Sequence, residues 1–311
     1  MSVFELTERP DPDLLKGSHD PKDLRIGEVV KHKPRDYDSA GVVILGCPED
    51  EGVRRNKGRP GARKSPAEIR RSLYKLTSNP VIQSLKVFDL GDIMVDDTLE
   101  KTHKKLKQVV RTVLSDGKMA VVLGGGNDIS YPDCAALADV KENLLVFNID
   151  KHFDVRDLTP RNSGTSYRML LEENLIQPDK FYEMGSEHFS NSQVYKDYLK
   201  EKGVHVFTLN QMREKGIKSL FQEIIHGHSF EAIFWGVDLD VVRDADAPGV
   251  SASYPTGLTA KEMIQIAETA GRETPFGVVE FTEVNPEFDI DNRTSKLTAI
   301  LIHTFLSSRN L

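Results

Sequence analysis

The stretch Asn148-Ile149-Asp150-Lys151-His152-Phe153-Asp154-Val155-Arg156 decides how the rest of the chain is read. It continues an apolar run, Leu144-Leu145-Val146-Phe147, with the character of a buried strand. Asp150, His152 and Asp154 occupy alternate positions, and in extended backbone alternate residues face the same side. The spacing predicts two carboxylates and an imidazole converging where a strand ends, with Lys151 aimed away and peripheral. Carboxylate oxygens with one imidazole suit a hard to borderline divalent cation, Mn²⁺ being a good match.

Working outward, two more segments repeat the pattern. Phe234-Trp235-Gly236-Val237 runs into Asp238-Leu239-Asp240, which again places two carboxylates on one face. Ala120-Val121-Val122-Leu123 runs into Gly124-Gly125-Gly126-Asn127-Asp128, where the glycines allow close packing under a site. Strand signals recur near 41–46, 87–90, 181–184, 204–208 and 276–281, with helical signals between them. One predicted helix begins at Ser65-Pro66 and another is capped by Thr259. About eight strands alternating with helices predict an α/β fold: one three-layer domain with a mostly parallel sheet and helices on both faces. Residues 1–38 are polar with scattered prolines and read as an N-terminal arm or cap, leaving 39–311 as the α/β domain. In open α/β sheets, ligands gather beyond the carboxyl ends of strands. Each suspect residue falls at such an end.

The 311 residues carry a net charge of -7 and no long basic run, which argues against nucleic acid or an anionic membrane surface as partner. No apolar stretch approaches the ~20 residues of a membrane span. The N-terminus lacks the basic-then-apolar pattern of a signal peptide. Cys47 and Cys134 are too few for a disulfide framework and read as buried thiols in a reducing compartment. A cytoplasmic location is the expectation.

The three segments, with Glu283-Val284-Asn285-Pro286 as a fourth, resemble the ureohydrolase (arginase, agmatinase and formimidoylglutamase) superfamily over roughly residues 40 to 308. The resemblance implies an arginase-like fold and a binuclear manganese hydrolase, with two Mn²⁺ per subunit and a homo-oligomer in keeping with the family. Asp150 and Asp238 would bridge the ions. Asn127 and Asp154 would complete the ligands of the first ion, and His152 and Asp240 those of the second ion. A bridging hydroxide would attack the amidine carbon. Asp154 would pass a proton to the leaving amine, and Glu283 would orient the cationic N–C–N group. Most of the superfamily has His where Asn127 stands, so the first ion is expected to be held weakly.

Within the superfamily, the Ser-Gly-Thr of Arg161-Asn162-Ser163-Gly164-Thr165-Ser166-Tyr167-Arg168 resembles the formimidoylglutamase branch. So do Asp50 to Arg59 and Phe189-Ser190-Asn191-Ser192. This implies cleavage of N-formimidoyl-L-glutamate to L-glutamate and formamide, a step of histidine degradation. That substrate has two carboxylates, and Arg is suited to bidentate carboxylate recognition. Arg54, Arg55, Arg59, Arg161 and Arg168, with Ser163 and Thr165, are therefore the expected substrate-binding residues. The alternatives are an agmatinase or other guanidino-acid ureohydrolase and, in a different class, a metal-depleted arginase-fold binding or regulatory protein.

Overall fold

In a computed structural model, described for residues 2–15, 20–273 and 276–309, the apolar runs become nine strands. These are β1 (Thr7–Glu8), β2 (Val42–Gly46), β3 (Val87–Ile93), β4 (Met119–Leu123), β5 (Leu144–Ile149), β6 (Phe181–Ser186), β7 (His205–Thr208), β8 (Ala232–Asp238) and β9 (Phe276–Thr282). They form one sheet in the order β1-β3-β2-β4-β9-β8-β5-β6-β7. All pairings are parallel except β1 with β3. The eight parallel strands are those legible from the apolar runs. The ninth, β1, comes from the N-terminal segment, too short and polar to announce itself. Val3 and Leu6 beside it are buried.

The strands are apolar on both faces because both are covered. Ile44, Val121, Phe147, Trp235 and Val279 belong to one core with the helices Ser65–Leu73, Ile217–Gly227, Ala260–Arg272 and Arg293–Ser307. Val43, Ala120, Val122, Val146, Phe234 and Val278 belong to the other, with Leu99–Ser115, Ser130–Ala138 and Ser166–Glu172. Helix starts follow local chemistry. The Thr98 side chain accepts from Lys101 N, and Thr259 with Glu262 closes a capping box. Ser65 lies inside its helix rather than capping it, with Lys64 at the N-cap. Cys47 and Cys134 are free and buried, and among the described residues no helix is long and apolar enough to cross a membrane.

The topology positions the site. The chain builds β2, β3 and β4, moves to β5, β6 and β7, then returns to insert β8 and β9 between β4 and β5. The four central strands are thus β4, β9, β8 and β5, and their carboxyl ends carry the four motifs. A crevice at such a switch in strand order is where α/β sheets bind ligands.

Candidate active site

The pleat does not produce the convergence. β5 stops at Ile149, and Asp154 sits at φ 47, a left-handed turn. After β8, Leu239–Val241 is a 3-10 turn in which Asp238 Oδ1 accepts from Asp240 N at 2.8 Å. Likewise Asp150 Oδ1 accepts from His152 N at 2.7 Å. Tight turns fold the acidic residues back over the strand ends, so spacing by two reflects turn geometry rather than extension.

Two ligand sets result. Asp150, His152 and Asp240 can each offer an atom within 4.8 Å of the others, and so can Asp150, Asp154 and Asp238. Asp150 belongs to both. Burial, then the charge of Asp240, pushes the Asp150 carboxyl up to about 6. Burial and the neighbouring carboxylates push Asp154 and Asp238 well above their ordinary range. Burial opposes ionisation of Asp240, but His152 and Lys151 hold its carboxyl below the usual value. His152 Nδ1 lies 3.2 Å from Asp240 Oδ2. Asp240 Oδ1 is buried without a hydrogen-bond partner among the described residues. So many mutually repelling, desolvated oxygens around one imidazole lack only positive charge, and the donor set fits divalent cations of the Mn²⁺ type.

Asn127 faces this basin with its nitrogen. Nδ2 donates to Asp154 Oδ2 at 2.6 Å and lies 3.4 Å from Asp150 Oδ2. Its oxygen accepts from Ser130 Oγ at 2.9 Å and Thr282 Oγ1 at 2.8 Å. The expected oxygen ligand is therefore turned away: carboxylates attract the amide N–H₂, while two hydroxyls supply donors to the oxygen. Glu283, at φ 62, accepts from the Asn127 backbone N–H at 3.0 Å and lines the cleft. Burial raises its carboxyl well above the usual range.

Lys151 is not peripheral. It is buried, donates to Ala252 O at 2.9 Å and stands 4.5 Å from the Tyr254 ring centre, tying the 250–254 loop to the basin. Asn191 accepts from Phe153 N and donates to Lys151 O, fixing the same turn from the other side. The glycines after β4 are needed for packing: a Cβ on Gly125 would run into the Glu49 carbonyl.

The cleft above the basin has a volume of about 450 Å³. Arg59 and Ser163 line it, whereas Arg54, Arg55, Arg161, Arg168 and Thr165 do not. Each of these five is engaged elsewhere. Arg54 pairs with Glu51 at 3.1 Å, Arg55 with Glu100 at 2.6 Å and Arg168 with Asp157 at 3.3 Å. Arg161 lies over the Tyr131 ring, and Thr165 donates to Asn162 O. Arg59 spends its donors on Ser251 O and Val250 O. Lys57 and Arg156, which sequence reasoning passed over, line the cleft with no ion pair among the described residues. Asn56, Ser190, Tyr195 and Ser251 complete a polar wall.

Fold and basin together define an α/β enzyme with a carboxylate-rich candidate metal centre at the carboxyl edge of its sheet. The sequence profile of the arginase family matches residues 40–307, and the chain belongs to that family, a hydrolase of C–N bonds. Formimidoylglutamase from Staphylococcus aureus is 33% identical over 311 residues, covering 95% of this chain and 98% of the relative. Formiminoglutamase from Trypanosoma cruzi, solved with Mn²⁺, is 31% identical with a TM-score of 0.86, covering 93% of this chain and 100% of that one. A variant of the same enzyme with one asparagine replaced by histidine, also solved with Mn²⁺, is 31% identical with a TM-score of 0.87 and the same coverage.

Proposed function

We propose that the protein hydrolyses N-formimidoyl-L-glutamate to L-glutamate and formamide, using two Mn²⁺ ions in the basin. The observation that carries this is the polarity of one cleft: an acidic floor under a rim bearing unpaired Lys57 and Arg156. The substrate has the matching shape, a cationic formimino end and a dicarboxylate end. The similarity to formimidoylglutamases over most of both chains supports the same reading.

Asp150, Asp154 and Asp238, with Asn127, would hold one ion, and His152 and Asp240, with Asp150, would hold the other. When bound, such a pair lowers the pKa of a water between them enough to supply hydroxide near neutral pH. Glu283 pairs with the N–C–N group and orients its planar carbon. Lys57 and Arg156 hold the glutamate carboxylates, and Ser163 with Asn56 supplies neutral donors beside them. The water oxygen ends on the formimino carbon. Its proton passes through Asp154 to the leaving α-amino nitrogen as the C–N bond breaks. Asn191 and Lys151 keep the ligand turn in place while charge shifts across it.

The test is a substrate panel at saturating Mn²⁺. Formamide release from N-formimidoyl-L-glutamate should dominate, with little urea from arginine or agmatine. Agmatine has no carboxylate for Lys57 and Arg156, so dominant urea release from it would overturn the assignment.

A further inference from the structure

A second donor set gathers beside the basin and shares none of its ligands. Glu49 lies beyond β2, His103 is in the helix Leu99–Ser115, and Asp128 follows Asn127. Each can offer one atom within 4.8 Å of the others. Their relative exposures are 6%, 2% and 1%, so all three are more than nine-tenths buried. His103 Nε2 lies 2.7 Å from Asp128 Oδ2. Glu49 uses Oε1 to accept from the Glu51 backbone N–H.

The other atoms are left over. Glu49 Oε2, Asp128 Oδ1 and His103 Nδ1 have no hydrogen-bond partner among the described residues. Among the ion pairs of those residues, no Lys or Arg meets Glu49 or Asp128. Two desolvated carboxylates thus face one another across an imidazole, without the fixed cation that buried acids ordinarily require. The approach of Asp128 is made by backbone without side chains, since a Cβ on Gly52 or Gly126 would overlap its carboxyl. Glu49, alone of the three, also lines a surface cavity with Glu51, Asp96, Thr102 and Arg55, whose guanidinium is paired with Glu51 and Glu100.

We propose that Glu49, His103 and Asp128 form an additional site for a divalent first-row transition ion, of the Zn²⁺ or Mn²⁺ class. Two carboxylates and one imidazole match the donor preference of those ions and leave coordination positions for water. The ion would act as an anchor. It would join the β2 loop, the helix Leu99–Ser115 and the Asn127 turn, the last of which also presents Asn127 N–H to Glu283.

The test separates this site from the basin. Zn²⁺ and Mn²⁺ are the probes, and the readouts are ions per chain by equilibrium dialysis with elemental analysis and anomalous scattering from soaked crystals of the parent. The double variant Asp150→Asn/Asp238→Asn disables the basin and should still hold one ion per chain. Adding His103→Gln or Glu49→Gln should remove it. The parent crystals should show an anomalous peak between Glu49, His103 and Asp128, a measurement that stands even where a variant fails to fold. No peak at the cluster, no ion on the double variant, or an unchanged count after His103→Gln or Glu49→Gln would each overturn the proposal.

Discussion

Replacing Asp150 by asparagine should make the metal-free protein more stable at neutral pH while abolishing activity. The Asp150 carboxyl is raised from an ordinary 3.8 to about 6, first by burial and then by Asp240. Its folded form therefore keeps a proton that the unfolded form releases. That contribution is fully present below pH ~3.8 and is lost as pH rises through about 6. A shift of about two units corresponds to about 3 kcal/mol at 1.36 kcal/mol per unit. At pH 7 the ionised carboxylate costs the apo protein that amount, and Asp150→Asn should recover much of it. For 311 residues, unfolding entropy near ~2.1 cal/mol/K per residue gives about 0.65 kcal/mol/K, so the apo midpoint should rise by ~5 °C.

The assay is urea unfolding of chelated parent and variant at pH 5, 6 and 7, repeated with Mn²⁺. Strongly depressed carboxyls such as Glu262, at about 2, titrate below this window. Parent apo stability should fall across it, the variant less so, and the gap should be widest at pH 7. With Mn²⁺ the order should reverse, because the parent alone keeps the shared ligand and ligand binding stabilises the folded state. If the two apo proteins have equal stability at pH 7, the carboxylates are not in the uncompensated state described above.

Other outcomes follow from the same geometry. Metal analysis of Mn²⁺-reconstituted protein should give two ions per chain attributable to the basin, and Asp238→Ala should remove the ion it would share with Asp150 and Asp154, along with activity; full activity after exhaustive chelation would refute the metal assignment. Arg156→Ala should raise KM for N-formimidoyl-L-glutamate by ~10–100-fold, the value of one charged hydrogen bond of ~1.5–3 kcal/mol, with kcat nearly unchanged; an unchanged KM would place the carboxylate contacts elsewhere. Gly125→Ala should destabilise by ~2–3 kcal/mol through overpacking against the Glu49 carbonyl, read by urea unfolding. Asn127→His should tighten Mn²⁺ binding without changing the substrate, and the gain should shrink below pH ~6.5 where imidazole protonates; titrations of both proteins at two pH values check it.

The parallel sheet was legible because its strands are continuous apolar runs bounded by Gly and Asp. That the acidic residues gather was also legible, since each motif ends a run. The mechanism of gathering was not, because spacing by two is common to an extended strand and to the turns after Ile149 and Asp238. The rim was least legible. Counting arginines in loops ignores their partners, and Glu51, Glu100 and Asp157 engage Arg54, Arg55 and Arg168. Lys57 and Arg156 differ only in having no such neighbour, a property of three-dimensional placement. Glu49, His103 and Asp128 escaped notice because the first and last lie 79 positions apart, with no shared motif.

Asn127 is where these levels meet. Read from sequence, it is a weaker donor than histidine. In the folded chain it is an amide whose nitrogen faces carboxylates and whose oxygen faces two hydroxyls. Hydroxyls accept as readily as they donate. Ser130 Oγ is also within reach of the Glu280 carboxyl, so its one proton can go there when its oxygen accepts from the amide. The amide can therefore turn its oxygen toward the basin and its N–H₂ toward Ser130 and Thr282 while remaining fully bonded. The two orientations suit two states: N–H₂ inward partly offsets the bare carboxylates, and oxygen inward offers a ligand once cations supply that charge. Histidine can present a basic nitrogen to a cation, but a neutral imidazole has one N–H where the amide has two. The Asn127→His protein should thus hold Mn²⁺ more tightly and lose more stability when stripped of it, and apo-minus-holo stability measured for both proteins decides whether the asparagine serves both states.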